Sequence, residues 1–479
     1  MKRSLALVVL LLLASTALVQ AQSYTWNFQG LFPPAGVTAG DTAFVGDIHG
    51  LAVDPDGKVW VQRYGVKPGD SITVTNYMLD VDTTSVDSLE TRKVGVRALH
   101  VYNPDGSEVS FSPIYFVNYG SGTDTLGGTS VYVKGIKVWY PSLSVNTGRG
   151  LRMDHDGNIL ATYFGYLYRI NYKTGEGMAK GVLDAAASCI AVGVSDDGYV
   201  YSNRVVAGGQ PLKIYNPDLT YLSNAVDTLA GFSRAIDVSH DGQDIYYAGY
   251  TNHAVIKYHS SLGVLGSYLE QVDTVMKGFD CESFCWHPTN GYLYASSGSG
   301  NDLPNQWPGL TTNYDLASWY AYDPATNTVL PEHIKWVYAV QDSDANQRPR
   351  AIAFSPGGDT AYVGVFGNNS VPGLRMYTRA LTSVEPITNT VPQQVTLSQN
   401  YPNPFNPSTE IEFTVVKSGV TTLKVYDMLG KEVVTLVNES LNPGTFRTRL
   451  DGARLSSGTY FYTLTTGQTR ITKKMLLMK

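Results

Sequence analysis

Six stretches of this chain share one phrase, a short apolar strand, a tight turn and a second apolar strand. Seven residues before the second-last residue of each turn stand His49, Arg149, Ile190, Arg234, Ser283 and Arg350. Four of the six are basic. If the first strands converge, these side chains gather at one mouth and focus an anion, such as a carboxylate or a sugar acid. The same pattern also fits structural pairing between neighbouring units, with Asp47, Asp280 and Glu282 close enough in sequence to serve as partners. Trp307 and Tyr314 lie in GSGNDLPNQWPGLTTNYD, residues 298–315, a long connection with no counterpart in the other copies. Flat aromatics among amides and hydroxyls suit stacking on carbohydrate, or they pin the loop to the body. The candidate ligand-binding set is therefore His49, Arg149, Arg234, Arg350, Glu282, Asp47, Trp307 and Tyr314.

Other chemistry is harder to assemble. The turns DPDG (Asp54 to Gly57) and DHDGN (Asp154 to Asn158) place Gly at position 4, where an EF-type calcium loop needs it at position 6. Cys281, Cys285 and His287 share a strand face by period 2, but the spacing is wide for zinc, and buried thiols are the expectation. VSDDGYVYS (Val194 to Ser202) lacks the closing Trp of a sialidase Asp-box. Metal-dependent lactonase propellers use a Glu-Asn-Asn-Asp set that cannot be assigned here. HExxH, GxSxG, P-loop and GxGxxG signatures are missing. No catalytic residue, cofactor or metal is assigned.

The elements that must position the candidates are strands. HGLAVDPDGKVWV, RGLRMDHDGNILA, IAVGVSDDGYVYS, RAIDVSHDGQDIYY, SFCWHPTNGYLYA and RAIAFSPGGDTAYV carry Asp-Gly, Asn-Gly or Gly-Gly turns, which suit two-residue hairpins. Apart from a first interval of 100 residues, the turn glycines recur at 41 to 67, near the length of a four-stranded propeller blade. The unit from Arg234 to Gln271 shows all four strands. Such units bury both faces only when placed radially. The last unit ends after GLRMYTR, and SYTWNFQ (Ser23 to Gln29) has strand character without a repeat. It is expected to supply the missing outer strand. The phrase resembles the repeats of NHL-type six-bladed propellers over about Ser23 to Ser383, which implies a fold and not a reaction. A seventh, degenerate blade could lie in EVSFSPIYFVN and TSVYVKGIKVWY. The expected fold is all-β: a six-bladed β-propeller, with seven blades as the alternative, followed by a small Ig-like β-sandwich.

Composition separates two modules. The formal net charge of the 479 residues is −6, and only 16% are charged; nothing global points to nucleic acid. From Pro386 onward ten Lys and Arg stand against six Asp and Glu, so the acidic excess lies in the body. Lys2 and Arg3 precede an apolar run, Leu5 to Val19, with Val19-Gln20-Ala21 before the expected cleavage point. Residues 1–21 read as a signal peptide, and no span is expected in the mature chain. Three cysteines make no disulfide framework.

The propeller is expected over 22–383 and a linker over 384–396. The tail, 397–479, alternates strands and turns as a small sandwich. LSQNYPNPFNPSTEIEF, VYDMLGKEV, LSSGTYFYTL and TKKMLLMK closely resemble, block by block, the C-terminal type A sorting domain of the type IX secretion system. The matching positions are Pro402, Asn403, Pro404, Gly430, Gly458, Tyr460, Lys473 and Lys474. The resemblance implies passage through the periplasm, recognition by the type IX machinery, and release or attachment at the outer surface. A terminal strand carrying Lys473 and Lys474 suggests an edge open to strand addition. The functional expectation is a secreted or cell-surface binding or structural module that takes a carbohydrate or anionic ligand. The alternative is an extracellular enzyme of lactonase, lyase or glycan hydrolase type, with its site at the channel mouth.

Overall fold

The computed structural model describes residues 24–34, 47–78, 89–127, 130–134, 136–139, 147–299, 305–336, 347–367, 373–381, 385–388, 394–452 and 455–478. The expected signal peptide, 1–21, lies outside them. The chain divides into one compact unit, Thr25–Arg379, and a second that includes Ala380–Lys479. Both are built from strands. Among the described residues, helix is confined to two three-residue turns, Tyr250–Asn252 and Gly263–Leu265.

In the body, β1 (Tyr24–Leu31) is followed by β2 (Ile48–Val53) and β3 (Val59–Arg63). An insertion then holds β4 (Ser71–Tyr77) and β5 (Glu90–Gly95) before β6 (Leu99–Tyr102) completes a sheet ordered β2-β3-β6. β7 (Phe116–Asn118) and β8 (Thr123–Thr125) form a hairpin. β9 (Ser130–Val133) and β10 (Ile136–Trp139) join the inserted pair in a sheet ordered β5-β4-β10-β9, in which β10 runs parallel to β4. TSVYVKGIKVWY thus pairs with the first insertion, whereas EVSFSPIYFVN borders β6 through Leu99–Ile114 and Tyr102–Glu108 bridges.

Three regular four-stranded sheets follow in chain order. They are β11 (Gly148–Met153), β12 (Ile159–Tyr163), β13 (Tyr166–Ile170) and β14 (Gly177–Val182); then β15 (Gly193–Val194), β16 (Val200–Ser202), β17 (Leu212–Tyr215) and β18 (Tyr221–Val226); then β19 (Ser233–Val238), β20 (Asp244–Gly249), β21 (Ala254–His259) and β22 (Gln271–Val275). A fourth holds β23 (Phe284–Trp286), β24 (Leu293–Ser296), β25 (Ser318–Asp323) and β26 (Thr328–Lys335). The last is β27 (Arg348–Phe354), β28 (Thr360–Phe366) and β29 (Leu374–Leu381), with β1 beside β29. The N-terminal strand is therefore the outer strand of the C-terminal sheet of the body. Trp26 fixes it: its indole N–H donates to Tyr294 Oη and Glu332 Oε1, each at 3.1 Å, and Arg379 donates to the same carboxylate at 2.9 and 3.1 Å.

The core lies between sheets. Trp60 packs in one apolar cluster with Leu151 and Ile159, Leu160 with Tyr215, Tyr201 with Ile245, Tyr246 with Tyr322, Trp319 with Val363, and Tyr362 with Val61. Each cluster joins two sheets that are consecutive in the chain, and the final one joins the last sheet to the first. Stacked faces hide from water what a lone sheet would expose. The first strands approach closely. A Cβ on Gly50 would lie 2.7 Å from the Leu151 backbone nitrogen, and one on Gly150 would lie 2.3 Å from the Ala191 Cβ.

The repeated turn differs from the expected two-residue hairpin. At the first copy Gly57 N–H donates to Asp54 O at 2.9 Å and Asp54 N–H to Lys58 O at 3.0 Å, enclosing three residues. Gly57 has φ +82°, but Asp56 is not in the left-handed region. This is a type I turn closed by a left-handed glycine, which needs positive φ at one position only. Asp54 holds it, accepting the Asp56 and Lys58 amides at 3.0 and 2.9 Å.

In the second unit, β30 (Glu385–Thr388), β31 (Ser408–Val415), β32 (Gly419–Tyr426), β33 (Glu432–Leu441), β34 (Gly444–Asp451), β35 (Gly458–Thr466) and β36 (Thr469–Leu477) form two sheets, β30-β34-β31 and β33-β32-β35-β36. They share one apolar core, with Phe413, Leu423, Tyr462, Met475 and Leu477 fully buried. The segment read as a linker contributes β30, antiparallel to β34.

Candidate anion-binding site

The four basic candidates stand at a shared irregularity. Pairing of β2 with β3 shifts between Ile48 and Gly50, that of β11 with β12 between Gly148 and Gly150, that of β19 with β20 between Ser233 and Ile236, and that of β27 with β28 between Pro349 and Ala351. His49, Arg149, Arg234 and Arg350 thus sit in β-bulges. A bulge leaves its extra residue outside the ladder and re-aims the side chain. All four line a cavity of about 550 Å³, together with Tyr64, Ser188, Arg204, Gln210, Arg348 and Phe366. A narrower cleft lined by the same four reaches inward to Glu282 and Ser283.

The charges are unevenly satisfied. Arg350 clasps Glu282 through Nε and, at 3.4 Å, through Nη2, and both residues are buried. Its Nη1 donates to His49 Nε2 at 2.9 Å, so that nitrogen accepts. Burial, then the charges of Arg350, Arg149 and Arg234, hold the His49 pKa well below its usual value. His49 is therefore a neutral lining group. Arg204 pairs with Asp184 at 2.6 Å, and Arg152, in the cleft, pairs with Asp237 at 2.9 Å.

Arg149, Arg234 and Arg348 have no carboxylate partner among the described residues. The Arg149 guanidinium lies 5.1 Å from the Tyr64 ring centre, and that of Arg234 lies 4.6 and 5.6 Å from the rings of Phe232 and Tyr250. The buried Nε atoms of Arg149 and Arg234 meet no acceptor. Burial lowers the pKa of both. The Tyr64 hydroxyl, hydrogen-bonded to Arg149, partly offsets burial there, as Glu282 does at Arg234; the nearby Arg350 charge adds to the lowering at both, and the pKa of Arg234 falls to about 10. Glu282 is taken up by Arg350 and only attracts Arg234 through space, so guanidiniums outnumber carboxylates and make a site that a bound anion would relieve.

The other sequence candidates are placed elsewhere. Asp47, at φ +59°, lies 3.8 Å from Arg63 and does not line the cavity. Tyr314 packs against Phe279 and Tyr320 at ring distances of 4.6 and 5.1 Å, and its backbone is tied to Asn305. Trp307 lies under Lys277, 5.5 Å from the ring centre. Neither aromatic residue lines the cavity. Cys189, Cys281 and Cys285 are free thiols. Sequence reasoning missed Arg348 and Tyr64. Arg348 was legible in the Arg-Pro-Arg triplet, since alternate residues of a strand share a face.

In the tail unit, the motif residues act as fasteners. Asn403 Oδ1 accepts the Leu476 amide at 2.9 Å, and Phe405 exchanges backbone bonds with Leu476 and Met478, each at 3.0 Å. Gln399 reaches the Lys474 carbonyl at 2.7 Å. Pro402 O accepts from Asn400 and Thr409, and Pro404 separates Asn403 from Phe405. Tyr460 donates to Ser456 O at 2.8 Å. Gly430, at φ +79°, closes the β32–β33 turn around Asp427. Gly458 opens β35 opposite Leu477, and Lys473 and Lys474 face Tyr462 and Phe461 across β35–β36. The β36 edge expected to stand open is thus bridged near its end by the Phe405 segment. The opposite edge of that sheet is β33.

Residues 399–478 match the family described as secretion system C-terminal sorting domain. The tail is a type IX secretion sorting domain. It marks the protein for export to a secreted or cell-surface location, and recognition by the type IX machinery follows from it. No helix of the described residues is long and apolar enough to cross a membrane. No curated protein matches the chain. Among solved structures, a chain of "Crystal Structure of Mitotic Checkpoint Complex" is 10% identical, covering 79% of this chain and 98% of that one at a TM-score of 0.40, too low to carry an argument.

Proposed function

We propose that the body is a six-bladed β-propeller that binds an anionic ligand outside the cell, with the sorting domain as its means of export. The blade count rests on the order of neighbours. β2 packs on β11, Gly150 at β11 meets Ala191 just before β15, and β15 packs on β19, β19 on β23, β23 on β27 and β27 on β2. β1 beside β29 closes such a ring with strands from both ends of the body. On this reading the β5-β4-β10-β9 sheet is an insertion and not a seventh blade.

The binding role rests on one observation: four bulges turn basic side chains into one cavity, where Arg149 and Arg234 lack a carboxylate. The test is isothermal titration of the full chain with galacturonate. Binding that weakens at least tenfold in Arg149→Ala and Arg234→Ala supports the reading. No binding of any acidic sugar or carboxylate by the unaltered protein would sink it.

A further inference from the structure

Resting on that reading, we infer that the cavity takes an acidic oligosaccharide with at least two carboxylates, not a singly charged anion. Five arginines line the cavity: Arg149, Arg204, Arg234, Arg348 and Arg350. Two are neutralised internally, Arg350 by Glu282 and Arg204 by Asp184. His49 is neutral, because its Nε2 accepts from Arg350. Three positive charges remain, on Arg149, Arg234 and Arg348. They stand on β11, β19 and β27, strands of three different sheets.

Holding like charges together at a half-buried surface raises the free energy of the empty site. A monoanion removes one charge and leaves two. A ligand with two or more negative groups neutralises more and can engage separate guanidinium forks, each suited to a carboxylate. Size and lining point to a sugar rather than a bare inorganic dianion. About 550 Å³ falls within the range of small-molecule pockets. Tyr64 and Phe366 offer apolar ring surface, while Ser188 and Gln210 offer partners for hydroxyls. The Tyr64 and Phe366 rings stand 5.3 Å apart, edge to face, and both flank His49 at 5.5 Å.

The experiment compares galacturonate, digalacturonate and pyrophosphate by isothermal titration at several salt concentrations. Digalacturonate is expected to bind at least tenfold more tightly than galacturonate, with the steeper loss of affinity as salt rises. Arg149→Gln, Arg234→Gln and Arg348→Gln are each expected to shrink that preference. Thermal melts of the unliganded variants establish that they fold, and Arg348, half-buried where Arg350 is buried, gives the safest variant. Equal affinity for the two sugars would overturn the inference while leaving the anion-binding reading intact. Pyrophosphate binding more tightly than digalacturonate would also overturn it, in favour of a phosphate ligand. Failure of all three to bind would remove both.

Discussion

The body and the tail use their distinctive residues in opposite ways. In the tail, the motif side chains are spent on the fold itself: Asn403 caps the Leu476 amide, and Asn400 donates to Thr409 Oγ1 while its own amide donates to Tyr462 Oη. In the body, turns and apolar strands repeat as scaffold, and the variable residue sits in a bulge outside the ladder. The difference explains why the tail announces its role in sequence while the body announces only its architecture. A motif that is also a set of fasteners must be kept whole. A bulge position accepts His or Arg without disturbing the hydrogen bonds around it.

The largest expected effect lies in the tail. Deleting Met475 to Lys479 removes Met475 and Leu477 from the core and takes the partners of Asn403 and Phe405 with them. The sorting domain should unfold, and the protein should accumulate in the periplasm, as read by fractionation and surface protease accessibility. Surface display of the truncated chain would break the comparison at its base.

In the body, Glu282→Ala leaves Arg350 buried without its carboxylate. Breaking one side of a buried pair typically costs about 3–5 kcal/mol, so the body's denaturant midpoint should fall well below that of the parent. Arg149→Gln and Arg234→Gln, with no pair to break, should melt close to the parent. Equal losses in all three would mean that the ring is structural throughout.

The smallest effect is a pH dependence near neutrality, which falls in the body because the tail contains no histidine. His100 lies buried between Asp70 and Glu108, at 3.0 and 2.9 Å. Burial pulls its pKa down, but the bonds to the two carboxylates outweigh burial and the net shift is upward. Its stabilising contribution is therefore complete below the ordinary histidine value, about 6.5, and is lost as pH rises through the higher folded-state value. Buried His49 and His287 behave in reverse. The pKa of His287, lowered mainly by burial and then by Arg379, is about 4, so its neutral form favours folding above about 6.5 and that benefit fades toward acid. The stability gap between the parent and His100→Gln should be widest below pH 6.5 and narrow toward pH 9, as measured by chemical denaturation. A gap that widened with pH would reverse the assignment.

Much of the scaffold was legible because its causes are local. Asp or Ser before a turn, Gly at its close and apolar alternation are properties of a few adjacent residues. The turn geometry was misread because Asp-Gly serves both a two-residue hairpin and a type I turn with a left-handed glycine. Hydrogen bonds across the strands, not the pair itself, choose between them. Of the candidate site, the four basic positions were found by aligning copies, and Glu282 by its nearness in sequence. Tyr64, Arg204 and Phe366 were missed because they reach the cavity from other strands and connections. Trp307 and Tyr314 were placed by composition alone, and contact with Lys277 and Phe279 is what their half-buried rings found.

By itself the sequence determined the strand content, the repeated hairpin, the division into body and tail, and the export role of the tail, because each is written in contiguous residues. The expectation that the N-terminal strand completes the last sheet, some 350 residues away, was also borne out; the tertiary structure alone decided that the basic residues would occupy bulges, and that Arg350 would find Glu282 while Arg149 and Arg234 would not. Whether a charge is paired depends on which side chains meet in space, and that follows from packing one sheet against the next.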